Sequence, residues 1–297
     1  MHLIDLLRGR ELAVVTGKGG VGKTALAATI GSLAAEAGRR TLVLEVDPRE
    51  NVHQMLGVPP SGGEIVAAGP LLWAQNLKPE RVFDELVRER LKIGMLVRRV
   101  LDSAVYEQFA TGAPGLKELA ILGHALRLLR GEGTLGSPEL DLVVLDAPAT
   151  GHGIRLLTAP HLVATAIRSG PFAELAGELA AFVDDRERCG VVVVTQAEEM
   201  PVEESLELRA ALARELSRPP VALVVNGLYP PVPPAKGRDD ARRSLWRRRR
   251  ELNERELARL ARTWPEPQYL VPLLPLGRGP ELVAALSRCL TAAGAEA

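Results

Sequence analysis

Residues 11–24 read ELAVVTGKGGVGKT, the most informative stretch of the chain. Its last eight residues, Gly17–Thr24, match the pattern G-x-x-x-x-G-K-[ST], whose glycines allow backbone amides to turn toward phosphate oxygens. The apolar run Leu12–Val15 precedes this pattern and an alanine-rich segment follows it, as a strand and a helix would. The stretch therefore predicts a phosphate-binding loop between a buried β-strand and a helix.

The loop is expected to make several contacts with a bound nucleotide. The ammonium of Lys23 is expected to reach the β- and γ-phosphates, and the hydroxyl of Thr24 is expected to hold Mg²⁺. Amides at the start of the following helix face the same anion, because the positive end of the helix dipole lies there. The predicted nucleotide-contacting residues of this stretch are Gly17, Lys18, Gly19, Gly20, Val21, Gly22, Lys23, Thr24 and Ala25.

A second lysine in the loop, Lys18, has no role in an ordinary phosphate-binding loop. The chain contains six lysines among its 37 Lys and Arg residues, and two of the six fall within Gly17–Thr24. Arginine would not replace lysine freely in a tight backbone cradle, because its planar head group is bulkier. The composition therefore favours a specific role for Lys18 over that of a solvated surface cation.

The composition excludes several classes of protein. Of the 297 residues, 46% are apolar and 25% are charged, and 37 basic residues balance 37 acidic ones, so the net charge indicates no particular partner. The two cysteines, Cys189 and Cys289, lack CxxC spacing, which argues against a disulfide framework or a cysteine zinc site within the chain. We find no secretory signal region and no run of about 18 apolar residues, so we expect a cytoplasmic protein without a membrane span.

Short apolar runs alternate with helical segments along the chain. Continuous apolarity is typical of strands buried on both faces of a parallel sheet, and amphipathic helices are predicted between the runs, for example at 25–37 and 203–216. This alternation predicts an α/β fold, a doubly wound and mostly parallel sheet with helices on both faces. The predicted strands are Leu12–Val15, Thr41–Val46, Leu142–Leu145, Val191–Val194, Val221–Val225 and Tyr269–Val271.

Two segments do not fit a minimal α/β unit and are predicted to be insertions on a single domain, 1–297. Residues about 78–131 lack a valine-rich strand and are predicted to form several helices. Residues about 236–263 are predicted to form an arginine-rich helical segment. Its arginines are either the solvated face of an amphipathic helix, paired with glutamates such as Glu254 and Glu256, or a surface for anionic lipid, nucleic acid or an acidic partner.

Two aspartates end predicted strands at the sheet edge where the phosphate-binding loop lies. Asp47 follows the second run, where it could orient a water molecule for attack on the γ-phosphate, bind the metal's water shell, or cap a helix. Asp146 ends the third run, as a Walker-B-type carboxylate does, and is expected to hold Mg²⁺ through water. The predicted metal-binding residues are therefore Thr24, Asp47 and Asp146.

The sequence KGGVGKT at 18–24, with its additional lysine, resembles the deviant Walker A branch of the P-loop NTPases. The strings LEVDPREN at 44–51 and DAPATGHGIRLL at 146–157 are similar to the two switches of its ArsA/GET-type (arsenite-pump and tail-anchored-protein-targeting) ATPases. In that family the additional lysine reaches across a dimer interface to the partner's nucleotide. The resemblance implies an ATPase in which Lys18, Lys23 and Asp47 are catalytic.

The resemblance also implies which residues sense and hold the nucleotide. At the first switch Asp47-Pro48 is kept, while Arg49-Glu50 replaces the family's Ala-His. Asn226 would read adenine, because an amide offers both a donor and an acceptor, and Pro272 would pack on the base. The implied switch residues are Asp47, Pro48, Asp146, Pro148, Thr150, Gly151 and His152.

Departures from the family remove three kinds of site. Its targeting members hold zinc at a CxxC motif that falls, by position, near 239–250, where this chain reads DDARRSLWRRRR. The cysteines that bind arsenite in pump members, and those that hold the iron–sulfur cluster of the nitrogenase iron protein, are also missing. We therefore expect ATP and Mg²⁺ as cofactors, with no zinc and no iron–sulfur cluster.

These observations predict Mg²⁺-dependent ATP hydrolysis in a nucleotide-switched dimer, formed with an identical chain or a paralogous ATPase, that captures and releases a protein client or partner. Apolar residues within 86–100 either line a groove for that client or pack as core. The alternative is a ParA/MinD-like positioning ATPase that binds DNA or a membrane surface. The arginine-rich segment alone supports it, so nucleic acid is not the expected partner, while peripheral membrane contact stays open.

Overall fold

The computed structural model describes residues 2–47, 49–78, 81–82, 115–133, 137–148, 152–231 and 241–292. Strands and helices alternate within these ranges. The strands are β1 (Leu12–Gly17), β2 (Thr41–Glu45), β3 (Val66–Gly69), β4 (Leu72–Asn76), β5 (Leu142–Asp146), β6 (Cys189–Thr195), β7 (Ala222–Leu228) and β8 (Gln268–Pro272). The helices are α1 (Leu3–Leu6), α2 (Lys23–Glu36), α3 (Val52–Leu56), α4 (Leu116–Leu129), α5 (His152–Ala166), α6 (Pro171–Asp184), α7 (Glu199–Leu216), α8 (Ala241–Thr263) and α9 (Pro280–Ala292).

The described strands form one eight-stranded sheet in the order β3-β4-β2-β5-β1-β6-β7-β8. Every neighbouring pair is parallel except β3 and β4, which are antiparallel. Buried apolar side chains form one cluster on each side of the sheet, under the helices that cover it. The predicted doubly wound, mostly parallel fold is confirmed, and all six predicted strands are present. The strand that carries the phosphate-binding loop lies inside the sheet, between β5 and β6.

Strands β3 and β4 are not predicted by the apolar pattern. β4 reads LWAQN and ends in polar residues, and β3 reads VAAG, in which every residue is only partly buried or exposed. β4 forms because it pairs in parallel with β2, from Thr41 opposite Leu72 to Glu45 opposite Asn76. Pairing with a neighbouring strand, not a continuous apolar run, therefore defines this side of the sheet.

Helix α2 anchors the phosphate-binding loop in the middle of the fold. The helix begins at Lys23 and packs on β1, β2 and β5 on one side and on α9 on the other. The sequence predicts an amphipathic helix here, but nearly all side chains from Ala25 to Ala34 are buried, because α9 covers the second side. Gly31 permits close contact with the sheet, since a Cβ at this position would lie 2.3 Å from Cγ2 of Val43.

The described part of the predicted insertion at 78–131 contains helix α4, which packs against α5 and α6. The candidate groove residues within 86–100 lie outside the described residues. His124 of α4 contacts the sheet, where its Nε2 lies 2.9 Å from Oε1 of Gln75 on β4. This contact ties the helix to the strand that the sequence does not predict.

We expect His124 to make the folded state less stable in mild acid. Burial, with a smaller contribution from Arg127, lowers the pKa of His124 from its ordinary value of 6.5 to about 4. An unfolded chain binds a proton as the pH falls through its ordinary pKa, whereas the folded chain does not, so stability is lost between about pH 6.5 and pH 4. Between pH 7.5 and pH 5 the loss attributable to His124 is about 2 kcal/mol.

Urea unfolding of the wild type and of His124→Gln at these two pH values measures this contribution. Glutamine can keep a hydrogen bond to Gln75 and cannot take up a proton, so the variant should lose about 2 kcal/mol less than the wild type on acidification. Equal losses in the two proteins would show that His124 is protonated as easily in the folded state as in the unfolded one.

The arginine-rich segment forms the predicted helix, α8, but its apolar side is buried only in part. Leu260 is fully buried, whereas Leu245 is 60% exposed. The prediction that glutamates pair with its arginines is confirmed by the Arg250–Glu254 contact of 2.7 Å and by the contact of Arg255 with Glu256. Of the helices that the structure describes, none combines the length and apolarity that a membrane crossing requires.

Candidate active site

The loop between β1 and α2 has a backbone that only glycine permits at two positions. Gly17 has a φ of 149°, and a Cβ there would lie 2.1 Å from the carbonyl oxygen of Val194 on β6. Gly22 has a φ of 96°, and its Cβ would lie 2.4 Å from Nδ2 of Asn226. Any larger residue would clash with the neighbouring strand or side chain, so the glycines bring the loop against β6 and β7.

A cavity of about 460 Å³ lies beside the loop, at the carboxyl edge of the sheet. Its walls come from the start of α2, from the ends of β2, β5 and β7, and from the segment between β8 and α9. It brings together ten of the predicted site residues, namely Gly20, Gly22, Lys23, Thr24, Ala25, Asp47, Asp146, Pro148, Asn226 and Pro272. Residues far apart in the chain therefore meet where open α/β sheets bind ligands.

Lys23 is held inside the loop by a backbone oxygen. Its Nζ donates a hydrogen bond of 2.9 Å to the carbonyl oxygen of Lys18, and the residue is 8% exposed. Burial lowers the pKa of Lys23, and the nearby carboxylates of Asp146 and Asp47 offset part of that decrease. A buried cation facing a cavity is a strong site for an anion, because few water molecules screen its charge.

Thr24 and Asp146 form a second pair at the floor of the cavity. The Thr24 hydroxyl donates a hydrogen bond of 2.6 Å to Oδ2 of Asp146, while Oδ1 of Asp146 is buried without a hydrogen-bond partner among the described residues. Burial raises the pKa of Asp146 to about 7, although the Thr24 hydrogen bond acts in the opposite direction. A hydroxyl beside a carboxylate oxygen that lacks a partner fits a Mg²⁺ ion and its water shell.

Asp47 lies at the cavity wall and is not a helix cap. Its Oδ1 accepts a hydrogen bond of 2.7 Å from the amide of Arg49, within its own turn, and its carbonyl accepts one of 2.8 Å from Nδ2 of Asn76. The N-cap of α3 is Asn51, so the helix-cap alternative for Asp47 is wrong. Its exposed carboxylate is available to orient a water molecule in the cavity.

Glu45 is a site residue that the sequence analysis does not identify. The side chain is 2% exposed, and its carboxylate accepts hydrogen bonds from the amides of Asn51 at 2.9 Å and Val52 at 3.2 Å and from Nδ2 of Asn76 at 3.2 Å. Burial raises the pKa of Glu45, and these hydrogen bonds lower it. Glu45 and Asn76 therefore hold both ends of the 46–51 loop that carries Asp47.

A glutamate at the end of an apolar strand is the signal that could have identified Glu45. In the sheet it lies opposite Asp146 on one side and Asn76 on the other, which makes a polar row across β4, β2 and β5. Asn76 offers no comparable signal, because β4 is not evident in the sequence.

Asn226 has a structural contact in addition to its position in the cavity. Its Nδ2 donates a hydrogen bond of 2.8 Å to the carbonyl oxygen of Val21, which ties the loop to β7. Apolar residues of the 272–286 region form another wall of the cavity, of which the sequence predicts only the loop that begins at Pro272. Besides Pro272, its residues are Leu273, Leu274, Leu276, Leu282 and Leu286. A polar floor and an apolar wall suit a ligand with phosphates at one end and a planar base at the other.

Lys18 does not line this cavity. Its Nζ is 2.8 Å from Oε1 of Glu204 on α7. Lys18 and Gly17 line a second cavity of about 390 Å³, between the end of β1 and helices α5 and α7. The two lysines of the loop therefore point in different directions, with Lys23 directed inward and Lys18 toward the outer surface.

A family model described as an anion-transporting ATPase (ArsA ATPase) matches residues 10–171. The chain belongs to the ArsA ATPase family. The ArsA-type chain is 29% identical to ATPase BagA of Mycobacterium tuberculosis, over 75% of this chain and 67% of that protein. It is 29% identical to ATPase GET3B of Arabidopsis thaliana, over 75% of this chain and 65% of that protein.

This ArsA-type ATPase is 28% identical to an arsenical pump-driving ATPase of Escherichia coli, and the match covers 93% of this chain. The match covers 48% of the Escherichia coli protein. The chain therefore spans about half the length of that relative and about two thirds of the length of the other two. These findings confirm the ArsA/GET family and ATP hydrolysis as the activity.

The remaining predicted residues of this ArsA-type ATPase have different positions. Gly19 and Val21 belong to the loop but do not line the large cavity. The described ranges exclude Pro48, Thr150 and Gly151 and the side chain of His152, so the roles of these residues stay predictions. Helix α5 begins at His152, directly after the predicted second switch.

Proposed function

We propose that this ArsA-type ATPase works in the cytoplasm as a nucleotide-switched dimer that captures and releases a protein client or partner. Its second subunit would be an identical chain or a paralogous ATPase. ATP and Mg²⁺ would be its cofactors, and zinc and arsenite thiols would have no part in the cycle, because the cysteines for those sites are missing from the sequence.

The position of Lys18 is the observation that supports this proposal most strongly. The side chain lies across the loop from the cavity that holds Lys23, Thr24 and Asp146. An ammonium on the outer side of the loop can approach a phosphate group of another subunit more readily than one in its own cavity. A cation supplied in this way would stabilise charge in the transition state, as an arginine finger does.

Within each subunit the cavity residues would divide the remaining tasks. Lys23 would exchange the Lys18 carbonyl for phosphate oxygens, and Asp47 would orient the attacking water molecule. Bound Mg²⁺ would neutralise charge on the β- and γ-phosphates, and Thr24 and Asp146 would hold it. The exposed part of the first switch would respond to the γ-phosphate, while Glu45 and Asn76 keep its ends in place.

Light scattering of an Asp47→Asn variant tests the dimer. The substitution is expected to slow hydrolysis and keep ATP bound, so the mass should double from the 31.9 kDa of one chain with ATP and Mg²⁺ but not with ADP. A variant with ATP bound that keeps the mass of one chain would refute the homodimer and direct the search to a paralogous partner. A mass that doubles equally with ADP would refute the nucleotide switch.

A further inference from the structure

We infer that Glu204 is a positioning residue for Lys18, which it holds against helix α7 of the same chain until the ATP-bound dimer forms. This inference rests on the proposed action of Lys18 in the partner subunit. Oε1 of Glu204 lies 2.8 Å from Nζ of Lys18, and the two side chains are 31% and 29% exposed. The pair therefore keeps the lysine near the surface but turned back onto its own subunit.

Helix α7, which carries Glu204, is held against the rest of the fold. Val202 and Leu212 of this helix are fully buried, and the adjacent Glu203 forms a separate ion pair with Arg259 of α8. On the other side of the pair, Lys18 directly follows Gly17, whose backbone is pressed against Val194. Because the backbone is held on both sides, the pair opens by movement of the side chains.

The pair also lies beside the start of α5. Glu204 and Lys18 line the smaller cavity together with Thr16 and Gly153. Gly153 is in the first turn of α5, and a Cβ at this position would lie 1.9 Å from Oγ1 of Thr16. A shift of the start of α5 would therefore alter the space around the ion pair.

Nucleotide binding would remove one of the two contacts that hold Lys18. The carbonyl oxygen of Lys18 accepts a hydrogen bond from Lys23, so Lys18 is tied both through its backbone and through its side chain. When Lys23 turns to a phosphate group, the backbone contact is lost and the Glu204 pair alone retains Lys18. Ion pairs exposed to this degree are weak, which suits a contact that has to open in each cycle.

The substitution Glu204→Gln should release Lys18 before ATP binds. The matched control is Glu203→Gln, which makes the same change one residue earlier on α7 but removes the pair with Arg259 instead. Trace acetylation without nucleotide, read by mass spectrometry, reports the accessibility of the Lys18 amine relative to the exposed Lys78. We expect an increase of about twofold to fivefold for Glu204→Gln and no change for Glu203→Gln.

The same variants should differ in how ATPase activity depends on protein concentration. A homodimer releases two such pairs, so the concentration that gives half-maximal activity should fall by about fourfold to twenty-five-fold in Glu204→Gln, with kcat at saturation unchanged. Labelling or concentration dependence that matches the wild type would overturn the role of Glu204. If Lys18 is acetylated more in Glu204→Gln but Lys18→Ala keeps full ATPase activity, the ion pair exists and the proposed action of Lys18 in the partner subunit is wrong.

Discussion

Replacement of Lys18 by alanine is expected to lower kcat for ATP hydrolysis by about a thousandfold or more, while the affinity for ATP stays within about threefold of the wild type. Lys18 does not line the cavity that contains Lys23 and Thr24 of the same chain, and its ammonium contacts Glu204 of α7. A charge that reaches the phosphate only in the closed dimer stabilises the transition state and adds little to ATP binding by one chain.

Mixing two inactive variants tests whether Lys18 acts in the partner subunit. In a mixed dimer of Lys18→Ala and Asp47→Asn, the first chain keeps Lys23 and Asp47 and receives Lys18 from the second. Half of the dimers in an equal mixture are mixed and each has one complete site, so activity should return to about a quarter of the wild-type value. Asp47→Asn suits this purpose because it is expected to retain ATP and to dimerise.

The two variants measured separately at the same total concentration are the controls for the mixture. If activity in the mixture stays at the mean of those two values although mixed dimers form, Lys18 acts on the nucleotide of its own chain. Formation of mixed dimers can be followed by light scattering with subunits of different mass, for example when one variant carries a fusion domain.

Replacement of Lys23 by alanine is expected to weaken ATP binding by about a hundredfold or more and to abolish measurable hydrolysis. Its ammonium is 8% exposed, borders the cavity, and lies close enough to Asp146 and Asp47 for their charges to affect its pKa. In this position the Lys23 ammonium is expected to contact the phosphates of the ATP molecule bound to its own chain. When Lys23→Ala is mixed with another variant, the nucleotide site of the Lys23→Ala chain should stay inactive, whereas the site of the Lys18→Ala chain should regain activity.

A stability measurement separates loss of binding from loss of fold in Lys23→Ala. Burial lowers the pKa of Lys23, so the nucleotide-free chain holds its ammonium at a cost in free energy. The melting temperature without nucleotide should therefore equal or exceed that of the wild type, while the increase produced by ADP and Mg²⁺ should disappear. Lys78→Ala, at an exposed lysine away from the cavity, should keep that increase. A lower melting temperature without nucleotide would contradict this account of Lys23.

The candidate site divides into a part that is local in sequence and a part that is not. Lys23 and Thr24 are evident from the loop pattern, and Asp47 and Asp146 from their places at the ends of apolar runs. Glu45 and Asn76 are not evident, because their role depends on β4 pairing with β2. The apolar wall from the 272–286 region also depends on how β8 and α9 pack beside the loop.

The exposed apolar residues of α8 also show that a sequence pattern does not predict tertiary contacts. An amphipathic helix has one apolar side along its whole length, and Leu260 on this side of α8 is fully buried. Leu245 lies on that side of the pattern and is exposed, because burial requires a neighbouring element as well as a suitable position.

The sequence is sufficient to predict the phosphate-binding loop, six strands of the sheet and the family to which the chain belongs. These depend on short-range physics: glycines allow one loop backbone, and continuous apolar runs require strands covered on both faces. The tertiary structure alone decided the eight-strand order, the polar row around Glu45, and the ion pair that turns Lys18 toward Glu204. These contacts join residues far apart in the chain, so they exist only once the sheet order has brought β1, β2 and α7 to the same edge.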